Sequence, residues 1–153
     1  MNQGATLDEI VHTVAVPEHL TGQPWLQPVY DEPEFVVRNL WRLYGGWYDG
    51  NAAHLKPAPD RALATELCEL AGGAHALAAR AQQLSDEGDH RLACHLAEYA
   101  TLAEPDDAGL HRVRAVVYAA RAGQERSLMA RNVYRWAQRT SEERTSEEQA
   151  PGR

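Results

Sequence analysis

From Asp60 to Gln138, apolar residues recur at helical spacing with breaks at Gly72-Gly73, Gly88-Asp89 and Glu104-Pro105-Asp106, so this stretch reads as a run of short helix-hairpins. Asp60 opens a helix through Leu63, Leu67 and Leu70 that the glycine pair stops, and a second covers Ala74 to about Ser85. Asp89 caps a third, which carries Leu92, Ala93, Leu96, Ala97 and Ala100 up to the break before Pro105. Another begins at Ala108, and a last one from about Gln124 carries Leu128, Val133, Trp136 and Ala137 as candidate core. Strand signals are nearly absent: Val14-Ala15-Val16 and Pro28-Val29-Tyr30 are the extended candidates, and prolines bound both. The expected fold is all-α, with an extended N-terminal arm.

Measured from Ala74, the hairpin resembles a tetratricopeptide unit: Ala81, Ala93 and Ala100 are small, Leu84 lies between, and Pro105 closes the unit. Ala115 and Tyr118 follow Ala81 and Leu84 after 34 residues, and then the pattern degrades. One and a half units fall short of the roughly three repeats an independent solenoid needs. The expectation is therefore tetratricopeptide-like packing inside one helical domain, and not a peptide-binding array.

Upstream, Thr6 followed by Glu9 forms a capping-box pattern for a helix to about His12, and Asp31 followed by Glu34 does the same for a second helix with Pro33 in its first turn. That second helix carries Val36, Val37, Leu40, Trp41, Leu43, Tyr44 and Trp47, an apolar face broad enough to be buried on two sides. At the other end, Arg-Thr-Ser-Glu-Glu at 139–143 is repeated at 144–148. With no apolar residue before Ala150 it has nothing to bury, so residues 1–138 are expected to form the domain and 139–153 a disordered acidic tail.

At 153 residues the chain can bury a core without staples. Its two cysteines, Cys68 and Cys94, sit among apolar helix residues and read as small hydrophobes. No basic leader or long apolar run occurs, so no membrane partner is expected and the chain reads as cytoplasmic. Residues 1–107 hold six basic and 17 acidic side chains, whereas 108–139 hold seven arginines and Glu125. The overall charge of −7 argues against nucleic acid, since counterion release needs a net positive face. The stripe Arg131, Arg135, Arg139 on one helix face reads as a solvated surface, with a cross-subunit contact as the alternative.

The densest motif is Asn39-Leu40-Trp41-Arg42-Leu43-Tyr44-Gly45-Gly46-Trp47-Tyr48-Asp49-Gly50-Asn51, flanked by residues 28–35 and by Ala53-His54-Leu55. It resembles the start of the helical dimerisation domain of alkyl sulfatases, sulfate-ester hydrolases of the metallo-β-lactamase superfamily, and the likeness runs from Met1 to about Gln138. In that family catalysis belongs to an N-terminal domain whose HxHxDH motif and further ligands hold two zinc ions. This chain has no HxHxDH and no HExxH, and its histidines at 12, 19, 54, 75, 90, 95 and 111 are scattered singly, so neither a metal site nor a resident cofactor is expected, zinc belonging to the absent domain. Residues 1–10 resemble the segment that follows the family's last histidine ligand, and the chain reads as a separated or truncated product or an excised domain.

The resemblance implies that Arg38, Trp47, Tyr48 and Asn51, with Asp49 among them, lie near a substrate cleft: an arginine or tyrosine for sulfate, a tryptophan for an alkyl chain. The simpler reading puts Trp41, Tyr44 and Trp47 in the core and uses Asp49 and Asn51 to shape a turn. Ala52 stands where family members usually carry proline, which loosens that loop. No catalytic residue is assigned. The expected function is homodimerisation through the arm, with Trp25, Leu26, Val29 and Tyr30 at the interface. Two alternatives remain: a split alkyl sulfatase completed by a separate metallo-β-lactamase-type domain, and a stand-alone helical adaptor.

Overall fold

A computed structural model describes the backbone of residues 4–149 and the side chains of residues 4–146. Among these residues there are eight α-helices and no strand. They are α1 (Leu7–Thr13), α2 (Glu18–Thr21), α3 (Pro33–Gly45), α4 (Asp60–Ala71), α5 (Ala74–Asp86), α6 (His90–Ala103), α7 (Ala108–Gln124) and α8 (Leu128–Gln149), with 3-10 turns at Pro24–Leu26 and Ala52–Leu55. The chain divides into two compact units, one made of residues up to 57 with 126–129, the other of 58–125 and 130 onward.

The second unit follows the punctuation of the sequence closely. Gly72 ends α4 in the left-handed conformation at φ 89°, and the Gly73 N–H closes the turn on the Cys68 carbonyl at 2.7 Å. At the end of α5 the Asp89 N–H reaches the Leu84 carbonyl in the same way, at 2.8 Å. The Asp89 and Asp107 side chains then cap α6 and α7 by accepting from Leu92 and Leu110 N–H. Within this unit α6 packs on α4, α5 and α7, and α5 on α4 and α7. Ala81, Ala93, Ala97 and Ala100 are buried where these helices meet, and Leu110 and Val117 are the largest apolar side chains taken fully out of solvent. Both cysteines are free and buried. Burial pushes the Cys94 thiol up to about 11, which removes it as a nucleophile at neutral pH.

α8 departs from expectation in two ways. It continues through the first Arg-Thr-Ser-Glu-Glu copy and into the second, to Gln149, instead of giving way to disorder near residue 138. Ser141 explains the docking. It is fully buried, its hydroxyl accepts from Arg114 Nη1 at 2.7 Å and meets His111 Nδ1 at 3.2 Å, and Arg114 Nη1 also donates to the Ala137 carbonyl at 2.7 Å. Polar groups of α7 thus hold a segment that has no apolar side chain to offer. Residues 150–153 lie outside the described residues. The second difference is Trp136, expected in the core but 60% exposed together with Val133; α8 instead turns Ala130, Tyr134 and Ala137 inward, and Tyr134 stacks on Tyr118 at 5.9 Å between centroids. A one-helix period cannot choose between two apolar stripes, and the one with the smaller residues fits the closer approach.

In the first unit the Thr6–Glu9 capping box forms as expected, with the Thr6 N–H 2.7 Å from Glu9 Oε2 and the Glu9 N–H 3.2 Å from Thr6 Oγ1. The second box does not. α3 begins one residue later, with Glu32 as its N-cap and Pro33 in its first turn, and the Asp31 carboxylate accepts from the Glu32 N–H at 2.9 Å. Proline at the first helical position sets the start more firmly than the acidic spacing does. The arm between α1 and α3 is neither strand nor fully extended, being broken by α2 and the 3-10 turn at Pro24–Leu26. Its far end is tied down by residues 126–128: Arg126 donates to Gln27 Oε1 at 2.8 Å, the Ser127 hydroxyl to the Tyr30 carbonyl at 2.6 Å, and the Leu128 N–H to the Val29 carbonyl at 2.8 Å.

Candidate functional site

The signature motif forms the end of α3 and the turns that follow it. Trp41 Nε1 donates to the Tyr48 carbonyl at 3.1 Å, which folds the chain back on the helix after Gly46 has turned it at φ 81°. Asp49 Oδ1 accepts from the Asn51 N–H at 2.9 Å, and Asn51 Oδ1 accepts from the Ala53 N–H at 3.0 Å, which starts the 3-10 turn. That turn brings His54 back so that Nδ1 lies 2.5 Å from Asp49 Oδ2 and Nε2 lies 3.3 Å from Asn51 Nδ2. Asp49 and Asn51 therefore do shape the turn.

The same residues line an open cleft of about 360 Å³, together with Thr6, Asp8 and Val11 from the first helix region and Arg38 from α3. Of the four residues expected near substrate, Arg38 and Asn51 meet here with Asp49. Trp47 and Tyr48 do not line it; they contact each other edge-on, with centroids 6.0 Å apart. The core reading of the aromatics is also corrected: Trp41 is half-buried, whereas Tyr44 and Trp47 are 76% and 72% exposed. The unit is too small to cover them, Val11 and Val37 being its buried large apolar side chains among the described residues.

His54 is the residue that sequence reasoning passed over. The Asn51 N–H, and after it His54, hold the Asp49 carboxyl below its usual range. An ionised carboxylate only accepts, so the imidazole donates from Nδ1 and leaves the Nε2 lone pair toward Asn51 and the cleft. This is an oriented imidazole beside an arginine, able to accept or deliver a proton near an anion. The signal lay in Asp49 and His54 flanking a Gly-Asn turn. A dinuclear zinc site needs several imidazoles and carboxylates converging, and one histidine with Asp49 does not meet that requirement.

Trp25, Leu26, Val29 and Tyr30, expected at an interface, are all exposed, Trp25 at 77% and Tyr30 at 62%. Their backbone is held by residues 126–128 while their side chains stay in solvent. On α3, Val36, Leu40 and Leu43 are exposed as well. No helix among the described residues is long and apolar enough to cross a membrane.

Comparison with known proteins places this architecture. Residues 6–144 match the family described as alkyl sulfatase dimerisation. The chain is 35% identical over 108 residues to a linear primary-alkylsulfatase of a Pseudomonas strain, covering 70% of this chain and 20% of that protein. It is 30% identical over 135 residues to an (R)-specific secondary-alkylsulfatase of Pseudomonas, covering 88% and 20%. Among solved structures, the stereoselective inverting sec-alkylsulfatase Pisa1 from Pseudomonas matches with a TM-score of 0.83 at 29% identity, over 92% of this chain and 23% of that one. The chain thus spans about a fifth of the length of the curated relatives it matches, and the match contains no HxHxDH segment. It belongs to the alkyl sulfatase dimerisation family.

Proposed function

We propose that this chain is a homodimerisation module of the alkyl sulfatase type, with no sulfatase chemistry of its own. The observation that carries the reading is the exposure of Trp25, Val29 and Tyr30 on an arm whose backbone is already pinned, in the same unit as the exposed Leu43, Tyr44 and Trp47. Soluble monomers seldom leave so much aromatic surface uncovered, and a second copy would bury it. The buried Ala81, Ala93 and Ala100 with Ala115 further on support tetratricopeptide-like packing for the second unit. Sedimentation velocity on the purified chain tests the proposal: a dimer at micromolar concentration is expected, and a monodisperse monomer at high concentration would overturn it. The chain alone should not hydrolyse alkyl sulfates.

A second reading, that the chain completes a sulfatase when a separate metallo-β-lactamase-type domain docks on it, draws support from the cleft. Arg38 offers charge to a sulfate and His54 an oriented imidazole. Mixing the chain with such a domain, produced separately from one of the alkylsulfatase relatives, should yield alkyl sulfate hydrolysis that His54→Ala lowers. Equal activity with and without the chain would sink this reading.

A further inference from the structure

In the second unit, His75 in the first turn of α5 faces the turn between α6 and α7, and its Nε2 lies 2.9 Å from Asp107 Oδ2. Glu104 completes the group: one donor atom from each of His75, Glu104 and Asp107 falls within 4.8 Å of the others. Asp107 divides its work. Oδ1 caps α7 by accepting from the Leu110 N–H at 2.9 Å, and Oδ2 turns to the imidazole. The corner exists because residue 109 is glycine. A Cβ there would stand 2.9 Å from Asp107 Oδ1 and 3.3 Å from His75 Cε1, so any other side chain would push carboxylate and ring apart.

We propose that His75, Glu104 and Asp107 form a binding site for one divalent transition-metal cation of the zinc class, fastening the start of α5 to the α6–α7 turn. Zinc bonds of about 2.0–2.2 Å put neighbouring tetrahedral ligands about 3.3–3.6 Å apart, so the His75–Asp107 pair, 2.9 Å apart as a hydrogen bond, has to open by only a few tenths of an ångström to admit the ion. Glu104 is exposed, with a carboxylate oxygen within 4.8 Å of the other two donors, and supplies the third side, leaving water in the fourth position. An imidazole with two carboxylates suits zinc better than the all-oxygen shells of calcium or magnesium. Binding takes the neutral His75 tautomer that carries its proton on Nδ1, so that the Nε2 lone pair faces the metal in place of the hydrogen bond to Asp107. Arg112 sets a positive charge beside the corner, its Nη2 3.7 Å from where a Cβ on Gly109 would sit.

The test is zinc alone, loaded onto the full chain, followed by desalting and metal analysis, with thermal melting alongside. One zinc per chain should be retained, and zinc should raise the melting temperature. His75→Ala removes an exposed ring, and Asp107→Asn keeps an oxygen to cap α7 while removing the anionic ligand. Both variants should fold without metal, melting slightly below the wild type at most where the Asp107 charge or its His75 partner is lost, yet neither should retain zinc or show the zinc-dependent rise. Arg112→Ala should retain zinc at lower free concentration. No zinc retained by the wild type, or zinc retained undiminished by His75→Ala, would overturn the site.

Discussion

At the scale of single residues, burial decides what each large side chain contributes. Leu110 is 1% exposed inside the cluster formed by Cys68, Ala74, Leu77, Ala78 and Ala100, so Leu110→Ala should cost about 2–5 kcal/mol in denaturant unfolding. Trp136 is the larger side chain but exposed, and Trp136→Ala should cost under about 1 kcal/mol in the monomer. A result in the opposite order would put the tryptophan in the core after all. Asp107 offers a pH test. The Leu110 N–H, with a smaller contribution from His75, holds its carboxyl below the usual value, so its stabilisation is present above the ordinary carboxylate pKa and is lost as pH falls through the lowered folded value. Asp107→Ala should cost about 1 kcal/mol near neutral pH, as loss of a helix cap does, and the gap to wild type should narrow in strongly acid solution as the carboxylate is protonated. A gap that stayed constant from neutral to strongly acid solution would mean that the charge plays no part in the cap.

Among the helices, the boundaries set by local chemistry were legible in advance: Thr6 with Glu9, the αL glycine at 72, and the aspartate at 89 each satisfy backbone groups within a few residues, which spacing alone reveals. What could not be read depends on partners distant in sequence. Arg114 reaches Ser141 and Ala137 from another helix, so the continuation of α8 rests on a polar contact that no count of apolar residues anticipates. The same holds for His75 and Asp107, and for the arm, whose anchor at 126–128 is supplied about a hundred residues later. The α8 contact has a measurable consequence. Ser141→Ala stays close to the same volume but removes an acceptor from Arg114 and the partner of His111 Nδ1, and leaving such groups unsatisfied costs about 1–3 kcal/mol. Ending the chain at Arg139 should lower the melting temperature as well. If both variants melted with the wild type, the helical continuation would contribute nothing to the fold.

For the whole molecule, the exposed groups offer two ways to self-associate, and salt separates them. One uses the aromatic surface of Trp25, Tyr30, Tyr44 and Trp47; the other sets the exposed Arg135 and Arg139 of α8 against the acidic surface of a second copy. Apolar burial is nearly indifferent to salt at moderate concentration, whereas exposed charge pairs are screened once the Debye length falls from about 10 Å at 0.1 M toward about 3 Å at 1 M. Exposed ion pairs also contribute only about 0–1 kcal/mol each, too little to hold a dimer at micromolar concentration. The dimer dissociation constant should therefore hardly change between low and high sodium chloride. Trp25→Ala combined with Tyr30→Ala should weaken it by at least about 100-fold, the loss of two aromatic anchors at about 1.5–3 kcal/mol each, while Arg135→Ala combined with Arg139→Ala should leave it within a few-fold. Because both aromatics are exposed in the monomer, the first pair should not lower the melting temperature of the monomer measured at high dilution. Association that collapsed in salt and survived loss of the aromatics would move the interface from the arm to the arginine face of α8.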